Sequence, residues 1–204
     1  HIAARNENVL LSKLLLEHGA LINTENYKHQ TALGYAIQYW NLDLAKLFIE
    51  YGADINHPYA NEKGYHENNI PITVVMKQGN PDFVKLMLEN CTDLNPEEGE
   101  PPLHILISRF TFSGEQDYTE EWAGIFELLL KMGADMNAKY ATCSALDLSL
   151  GNRDLLRLFL DHGGDVNSRS NGSPLLLEAM QYGNKEIVDL FLDRDVNINV
   201  SNEN

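Results

Sequence analysis

Basic residues are scarce in this chain. Fifteen lysines and arginines stand against 30 aspartates and glutamates over 204 residues, a formal charge of −15. Such a surface repels phosphate, which argues against nucleic acid and anionic membrane as partners. Cysteine is scarcer still. Cys91 and Cys143 share no metal-ligand spacing and read as reduced thiols of an intracellular protein. No apolar run approaches the roughly 18 residues that a membrane-spanning helix needs, so membrane insertion is not expected. No signal-peptide pattern opens the chain at His1. Motif spacings for chemistry are missing as well: there is no H-E-x-x-H, P-loop, G-x-S-x-G, C-x-x-C or EF-hand pattern. The expectation is a protein that is not an enzyme, with no catalytic residues, no cofactor and no metal. The triplets at Asn90, Asn171 and Asn199 match the glycosylation pattern only by chance in an intracellular protein.

What the chain does have is one stretch that the rest repeats, Thr31 to Asn56. It reads as a short helix, a turn, a second helix and a Gly-terminated loop. The second helix carries Asp43, Lys46 and Glu50 at spacing i, i+3, i+7, a single narrow polar stripe. Leu42, Leu44, Ala45, Leu47, Phe48 and Ile49 fill both flanks. A helix that is wet on one thin stripe has to pack between neighbours on either side. Gly52 stops it, because the residue after a helix often takes a positive φ.

The ending G-A-D-I-N recurs as Gly19-Ala-Leu-Ile-Asn23, Cys91-Thr-Asp-Leu-Asn95, Gly133-Ala-Asp-Met-Asn137, Gly163-Gly-Asp-Val-Asn167 and Asp195-Val-Asn-Ile-Asn199. From Leu33 to Asn56 the stretch resembles the ankyrin repeat, T-P-L-H-x-A-A-x-x-G-x-x-x-x-V-x-L-L-L-x-x-G-A-D-x-N. It departs at Ala32 for the family's Pro, Gly34 for its His and Trp40 for its mid-repeat Gly. The resemblance implies an all-α solenoid of about six helix-turn-helix repeats joined by β-hairpin-type loops. It implies one domain over residues 1–204, with repeats near 1–23, 24–56, 57–95, 96–137, 138–167 and 168–199. The first repeat enters midway, at the H-x-A-A of its first helix.

Loop asparagines measure the period. Asn23 to Asn56 is 33 residues, Asn56 to Asn95 is 39, Asn95 to Asn137 is 42, Asn137 to Asn167 is 30 and Asn167 to Asn199 is 32. The excess maps to loop insertions at 57–69 and 109–121. The second insertion holds Phe110, Phe112 and Tyr118, followed by Trp122, which suggests packing back on the helices, with Asp117 or Thr119 capping the next helix. Eight acidic residues against Arg109 alone lie between Asp93 and Glu121. Cys91 replaces the loop glycine, so that turn is expected to be strained or to place Asn90 in the left-handed region. Neither end looks capped: Val9, Leu10 and Leu11, and Ile187, Val188 and Phe191, are expected to leave apolar surface open.

His18 and His162 share the slot before the loop glycine, where a donor complements the end of a helix. His104 matches the family's T-P-L-H histidine, which implies a structural hydrogen bond. Trp40 reads either as packing against a neighbouring repeat or as an exposed aromatic anchor.

The resemblance implies recognition of a partner polypeptide, with no nucleic acid, on a concave face built from hairpin tips and first helices. Mapped onto this chain, that face carries Tyr27, Lys28, Gln38, Tyr39, Tyr59, Tyr65, Lys77, Glu97, Glu98, Arg109 and Tyr140. These mix Tyr and Arg with adaptable polar groups, the composition enriched at recognition surfaces. The acidic fourth repeat would favour a partner with a basic segment. The alternative is a targeting or regulatory segment of a larger enzyme, channel or secreted effector, with flanking domains or end-to-end contacts. A cytoplasmic scaffold is expected, in the host cytosol if the protein is an effector. Asparagine, 21 of 204 residues, is a bias that suits an A/T-rich genome.

Overall fold

The computed structural model describes residues 1–57, 71–91, 94–95, 100–112, 119–181 and 183–201, with the backbone alone of 111 and 112. The chain forms two compact units, His1–Thr92 and Asp93–Asn204. The first unit holds three helix pairs: α1 (Ile2–Arg5) with α2 (Val9–Glu17), α3 (Ala32–Gln38) with α4 (Leu42–Glu50), and α5 (Pro71–Gln78) with α6 (Pro81–Glu89). First helices pack on first helices and second on second, giving two rows: α1, α3, α5 and α2, α4, α6. The second unit repeats the plan with α7 (Pro102–Phe112) and α8 (Glu120–Lys131), α9 (Ala145–Leu148) and α10 (Arg153–Asp161), and α11 (Leu175–Gln181) and α12 (Lys185–Leu192). Two-stranded hairpins precede the last two pairs: β1 (Lys139–Tyr140) with β2 (Cys143–Ser144), and β3 (Arg169–Ser170) with β4 (Ser173–Pro174). The all-α repeat architecture with hairpin loops is the one expected.

The central helix shows why the pattern produces this packing. On α4 the stripe Asp43, Lys46 and Glu50 is exposed, and Leu44, Ala45, Leu47 and Phe48 are buried. The apolar flanks meet α2 on one side and α6 on the other. Asn41 caps the helix, its Oδ1 accepting from Leu44 N at 3.0 Å, and Gly52 ends it at φ +82°. Asn8, Asn80, Asn152 and Asn184 cap α2, α6, α10 and α12 in the same way. This satisfies helix N–H groups that would otherwise lack a partner.

A second set of asparagines ties one repeat to the next. Asn23 Nδ2 donates to Gly52 O at 3.0 Å, and Asn23 Oδ1 accepts from Asp54 N at 2.8 Å. Asn95 makes the same pair of bonds to Gly133 O and Asp135 N, both at 2.8 Å. Asn167 accepts from Asn197 N at 2.8 Å, and Asn137 from Asp165 N at 3.3 Å. In three loops an aspartate holds the asparagine's own backbone: Asp54 Oδ1 accepts from Asn56 N at 2.9 Å, Asp135 from Asn137 N at 2.8 Å and Asp165 from Asn167 N at 2.9 Å. Caps and clamps together give the asparagine bias a structural cause.

Several expectations change. The α6 end needs no left-handed residue: Asn90 has φ −112°, Cys91 is not left-handed either, and Asn90 Nδ2 closes the helix onto Leu86 O at 2.9 Å. The short fifth repeat loses two of its residues in the first-helix span from Ser144 to Asn152, where four-residue α9 runs into a 3₁₀ turn at Ser149–Gly151. Thr119 does precede α8, but its side chain makes no capping bond; Asp117 lies outside the described residues. Phe110 meets Trp122 and Phe126 edge-on at 5.3 and 5.7 Å, so this aromatic segment begins in the core. Phe112's side chain and Tyr118 lie outside the described residues.

The two ends differ. Leu10 is 83% exposed and Leu11 is exposed too, as expected. Ile187 and Phe191 are instead buried, because α12 turns them towards α10 and α11. An end helix is still covered on the side facing its preceding repeat.

The clamps make a test of stability. Asn23→Ala is expected to lower the unfolding free energy by about 1–2 kcal/mol in urea titration, two hydrogen bonds being lost. Asn6→Ala, at an exposed side chain with no bond among the described residues, should change it by less than about 0.5 kcal/mol.

Candidate partner-binding surface

In the first unit the candidate residues gather around one hairpin and the end of α3. The hairpin is wound around Asn26. Its Oδ1 accepts from Lys28 N at 2.8 Å and Gln30 N at 3.1 Å, and its backbone pairs with Gln30 and His29. His29 takes φ +57° to close the turn. Asn26 Nδ2 donates to Tyr35 OH and to Gln30 Oε1, each at 3.1 Å, and Tyr35 OH donates to Gln30 Oε1 at 2.7 Å. Tyr35 and Gln30 are buried, so this polar triad fastens the hairpin to α3 from beneath. The sequence analysis assigned Tyr35 no role; the signal available was a tyrosine among buried aliphatics, whose hydroxyl needs a partner.

On this base stand the exposed rings. Tyr27 is 89% exposed, with Lys28 Nζ 5.7 Å from its ring centre. Tyr39 stacks on Tyr35 at 6.3 Å with the planes 9° apart. Gln38 is half-buried at the end of α3, and Lys77 is exposed at the end of α5. Trp40, beside Tyr39, adopts φ +54° in the family's glycine slot and meets Phe83 edge-on at 5.1 Å. Its ring packs on the next repeat while 37% of the residue stays exposed.

Beside them Glu25 accepts from His29 Nδ1 and His57 Nε2, both at 2.8 Å, joining two successive loops. These bonds, the one from His29 first, hold the Glu25 carboxyl below the usual carboxylate range. Sequence reading missed this triad because the two histidines are 28 residues apart. Tyr59, Tyr65, Glu97 and Glu98 lie outside the described residues.

In the second unit Arg109 is half-buried, its guanidinium 5.8 Å from the Trp122 ring. Tyr140, at the hairpin tip, lies edge-on to His104 at 5.9 Å. His104 Nε2 donates to Cys143 O at 3.2 Å, the structural bond implied for it. Burial pushes its pKa down from 6.5, although the Cys143 carbonyl favours the charged form. Glu178 is shifted up from 4.5, by burial first and by the charge of Asp147 second. His18 and His162 each donate from Nδ1 to the carbonyl four residues earlier, at 2.8 and 2.9 Å, closing their helices. Among the described residues no group of three or more His, Cys, Asp or Glu is arranged to hold a metal ion.

Comparison with known proteins agrees with this fold. A family model of ankyrin repeats in three copies matches residues 1–59 and 121–202. The chain belongs to the ankyrin repeat family. The unmatched span, 60–120, takes in most of both insertions. An ankyrin repeat protein of Fowlpox virus (strain NVSL) is 35% identical over 162 residues, covering 76% of this chain and 30% of that protein. NF-kappa-B inhibitor alpha of Gallus gallus is 25% identical over 176 residues, covering 82% of this chain and 52% of that protein. The chain thus spans about half or less of these relatives' lengths. Among solved structures, an ankyrin repeat domain from Acinetobacter baumannii AYE superposes with TM-score 0.74 at 22% identity, covering 97% of both chains. The ankyrin repeat domain of Bcl-3, a member of the IkappaB protein family, gives TM-score 0.73 at 22% identity, covering 99% of this chain and 88% of that one. At that identity the likeness shows the ankyrin fold. Ankyrin repeats are generally protein–protein interaction modules. No helix among the described residues is long and apolar enough to cross a membrane.

The shifted groups set a pH test. A histidine whose folded-state pKa is lowered stabilises the fold fully above the unfolded-state value of 6.5. That contribution is lost as pH falls from there through the folded-state value. The melting temperature should therefore drop on acidification below about pH 6.5, and drop less in His104→Gln. Glu178 has the opposite sign: its raised pKa makes the charged form a penalty at neutral pH, so Glu178→Gln should melt higher there.

Proposed function

We propose that this chain is a single ankyrin-repeat domain, with the six repeats mapped above, that recognises a partner polypeptide on the side bearing its hairpins and first helices. The observation that carries this reading is the tyrosine platform of the first unit. Tyr27 and Tyr39 offer large rigid rings to solvent, and the Tyr35–Gln30–Asn26 triad fixes the hairpin and helix that bear them. Rings held in place lose little conformational freedom on binding. The opposite stripe, Asp43, Lys46 and Glu50, is exposed and charged at regular spacing and carries no aromatic. Gln38, Lys77 and Tyr140 extend the surface, and Tyr59, Tyr65 and Arg109 join it by position in the sequence. The charge of −15, with Glu97 and Glu98 in the fourth repeat, favours a partner with a basic segment. The name of the relative NF-kappa-B inhibitor alpha points to a protein target, which supports a protein partner here. A cytosolic setting follows the reduced thiols, and viral relatives support a host cytosol. A second reading, a targeting or regulatory segment of a longer protein, is favoured by the 30% and 52% coverage of relatives.

The test compares two variants in affinity capture with quantitative readout at two salt concentrations. The pair Tyr27→Ala and Tyr39→Ala should lose binding by about tenfold or more. The triple Asp43→Ala, Lys46→Ala and Glu50→Ala should keep it, and wild-type binding should weaken as salt rises. Loss in the triple with retention in the pair would put the partner on the other face.

A further inference from the structure

The hairpin row changes sign along the chain. Two residues after each loop asparagine the sequence reads Glu25, Pro58, Glu97, Lys139, Arg169 and Ser201. Two successive cations thus stand in one slot of a chain whose formal charge is −15. Lys139 opens β1 and Arg169 opens β3, in the same register of their hairpins, opposite Ser144 and Pro174. Equivalent positions on neighbouring hairpins bring both cations to one cavity of about 510 Å³. Every described residue that lines it is polar.

The groups around this cavity are mostly donors. Lys139 is exposed, and its ammonium makes no bond among the described residues. Arg169 is half-buried; its Nη1 donates to Gly172 O at 2.7 Å and to Ser201 O at 3.4 Å, which holds the guanidinium in place. Asn137 Oδ1 accepts from Asp165 N at 3.3 Å. Its Nδ2, the group with which Asn23 and Asn95 reach a loop carbonyl, makes no bond among the described residues. Ser144 Oγ accepts from Asp147 N at 3.1 Å, and its O–H can still donate. One carboxylate, Asp165, shares the cavity, with Oδ1 taken up by Asn167 N at 2.9 Å. Lys139 and Arg169 against Asp165 alone leave the lining one charge positive.

We propose that this cavity takes a carboxylate side chain, an aspartate or glutamate of a partner polypeptide, between Lys139 and Arg169. The idea rests on the reading of the chain as a polypeptide-binding domain, and not on the tyrosine platform. Lys139 and Arg169 supply the charge, and the Asn137 amide and Ser144 hydroxyl supply neutral donors. A carboxylate carries a single charge, which matches the surplus. A phosphorylated side chain carries about two and would meet Asp165 as a like charge, which disfavours it. An acidic residue on the partner is thus read at a point separate from any basic segment.

Nuclear magnetic resonance titration of the isotope-labelled 204-residue chain tests the proposal. The probes are three blocked peptides with two glycines on either side of glutamate, glutamine or phosphoserine. The glutamate peptide should move amide signals at 137–144 and 165–170, and bind at least about tenfold tighter than the glutamine peptide. Lys139→Glu, at an exposed side chain, should abolish these shifts with unchanged far-ultraviolet circular dichroism, and Lys139→Arg should keep them. Asp165→Asn keeps an acceptor for Asn167 N and removes the like charge, so it should raise affinity for the phosphoserine peptide. The pair Tyr27→Ala and Tyr39→Ala should leave glutamate binding unchanged, so failure of the platform and failure of this site are told apart. No shift at millimolar glutamate peptide, or equal binding of the glutamine peptide, would overturn the proposal. So would a Lys139→Glu variant that still binds, shifts confined to other residues, or a wild type that prefers phosphoserine.

Discussion

At three steps along these units, among the described residues, an asparagine amide is held between two backbone groups of the next loop. The Asn23 side chain spans the Gly52 carbonyl and the Asp54 N–H, and Asn95 does the same for Gly133 and Asp135. An amide suits this place because it carries a donor and an acceptor on one rigid plane. Aspartate could not donate and lysine could not accept. With the loops set at this spacing, the apolar flanks of each second helix meet their neighbours, and burial supplies most of the stability. The clamp sets position, and the flanks supply the driving force.

Much of this was legible in the sequence, because both periodicities are one-dimensional. The stripe on α4 announced a helix sandwiched on two sides, and the recurring loop ending announced the repeat. The job of the loop asparagine was not legible, since its partners lie 29 and 31 residues away. Nor was the role of Tyr35, whose hydroxyl turns a core ring into the fastening of a hairpin. The end of α6 was misjudged because Asn90 closes the helix with its side chain, an option invisible when only φ is considered. Ile187 and Phe191 were expected to lie open because the end of a stack was treated as bare on both sides. Trp40 packs on Phe83, the first of its two readings, with 37% of the residue left exposed.

The platform and the stripe show how one helix pair divides its labour. The first helix and its hairpin carry rings whose positions are fixed from below by hydrogen bonds. The second helix carries exposed charges at helical spacing. Of the added segment 109–121, residues 109–112 belong to α7 and Glu120 and Glu121 open α8.

The clamps and most second-helix caps are uncharged asparagines, and an amide does not titrate. The spacing of repeats is therefore held by groups that take no part in the electrostatics of the surface. The exposed charges of the α4 stripe, Asp43, Lys46 and Glu50, can change without touching a clamp. A lineage can retune what such a domain attracts by drifting its surface, and keep the same scaffold throughout. The −15 of this chain is then one setting among many that the same architecture tolerates.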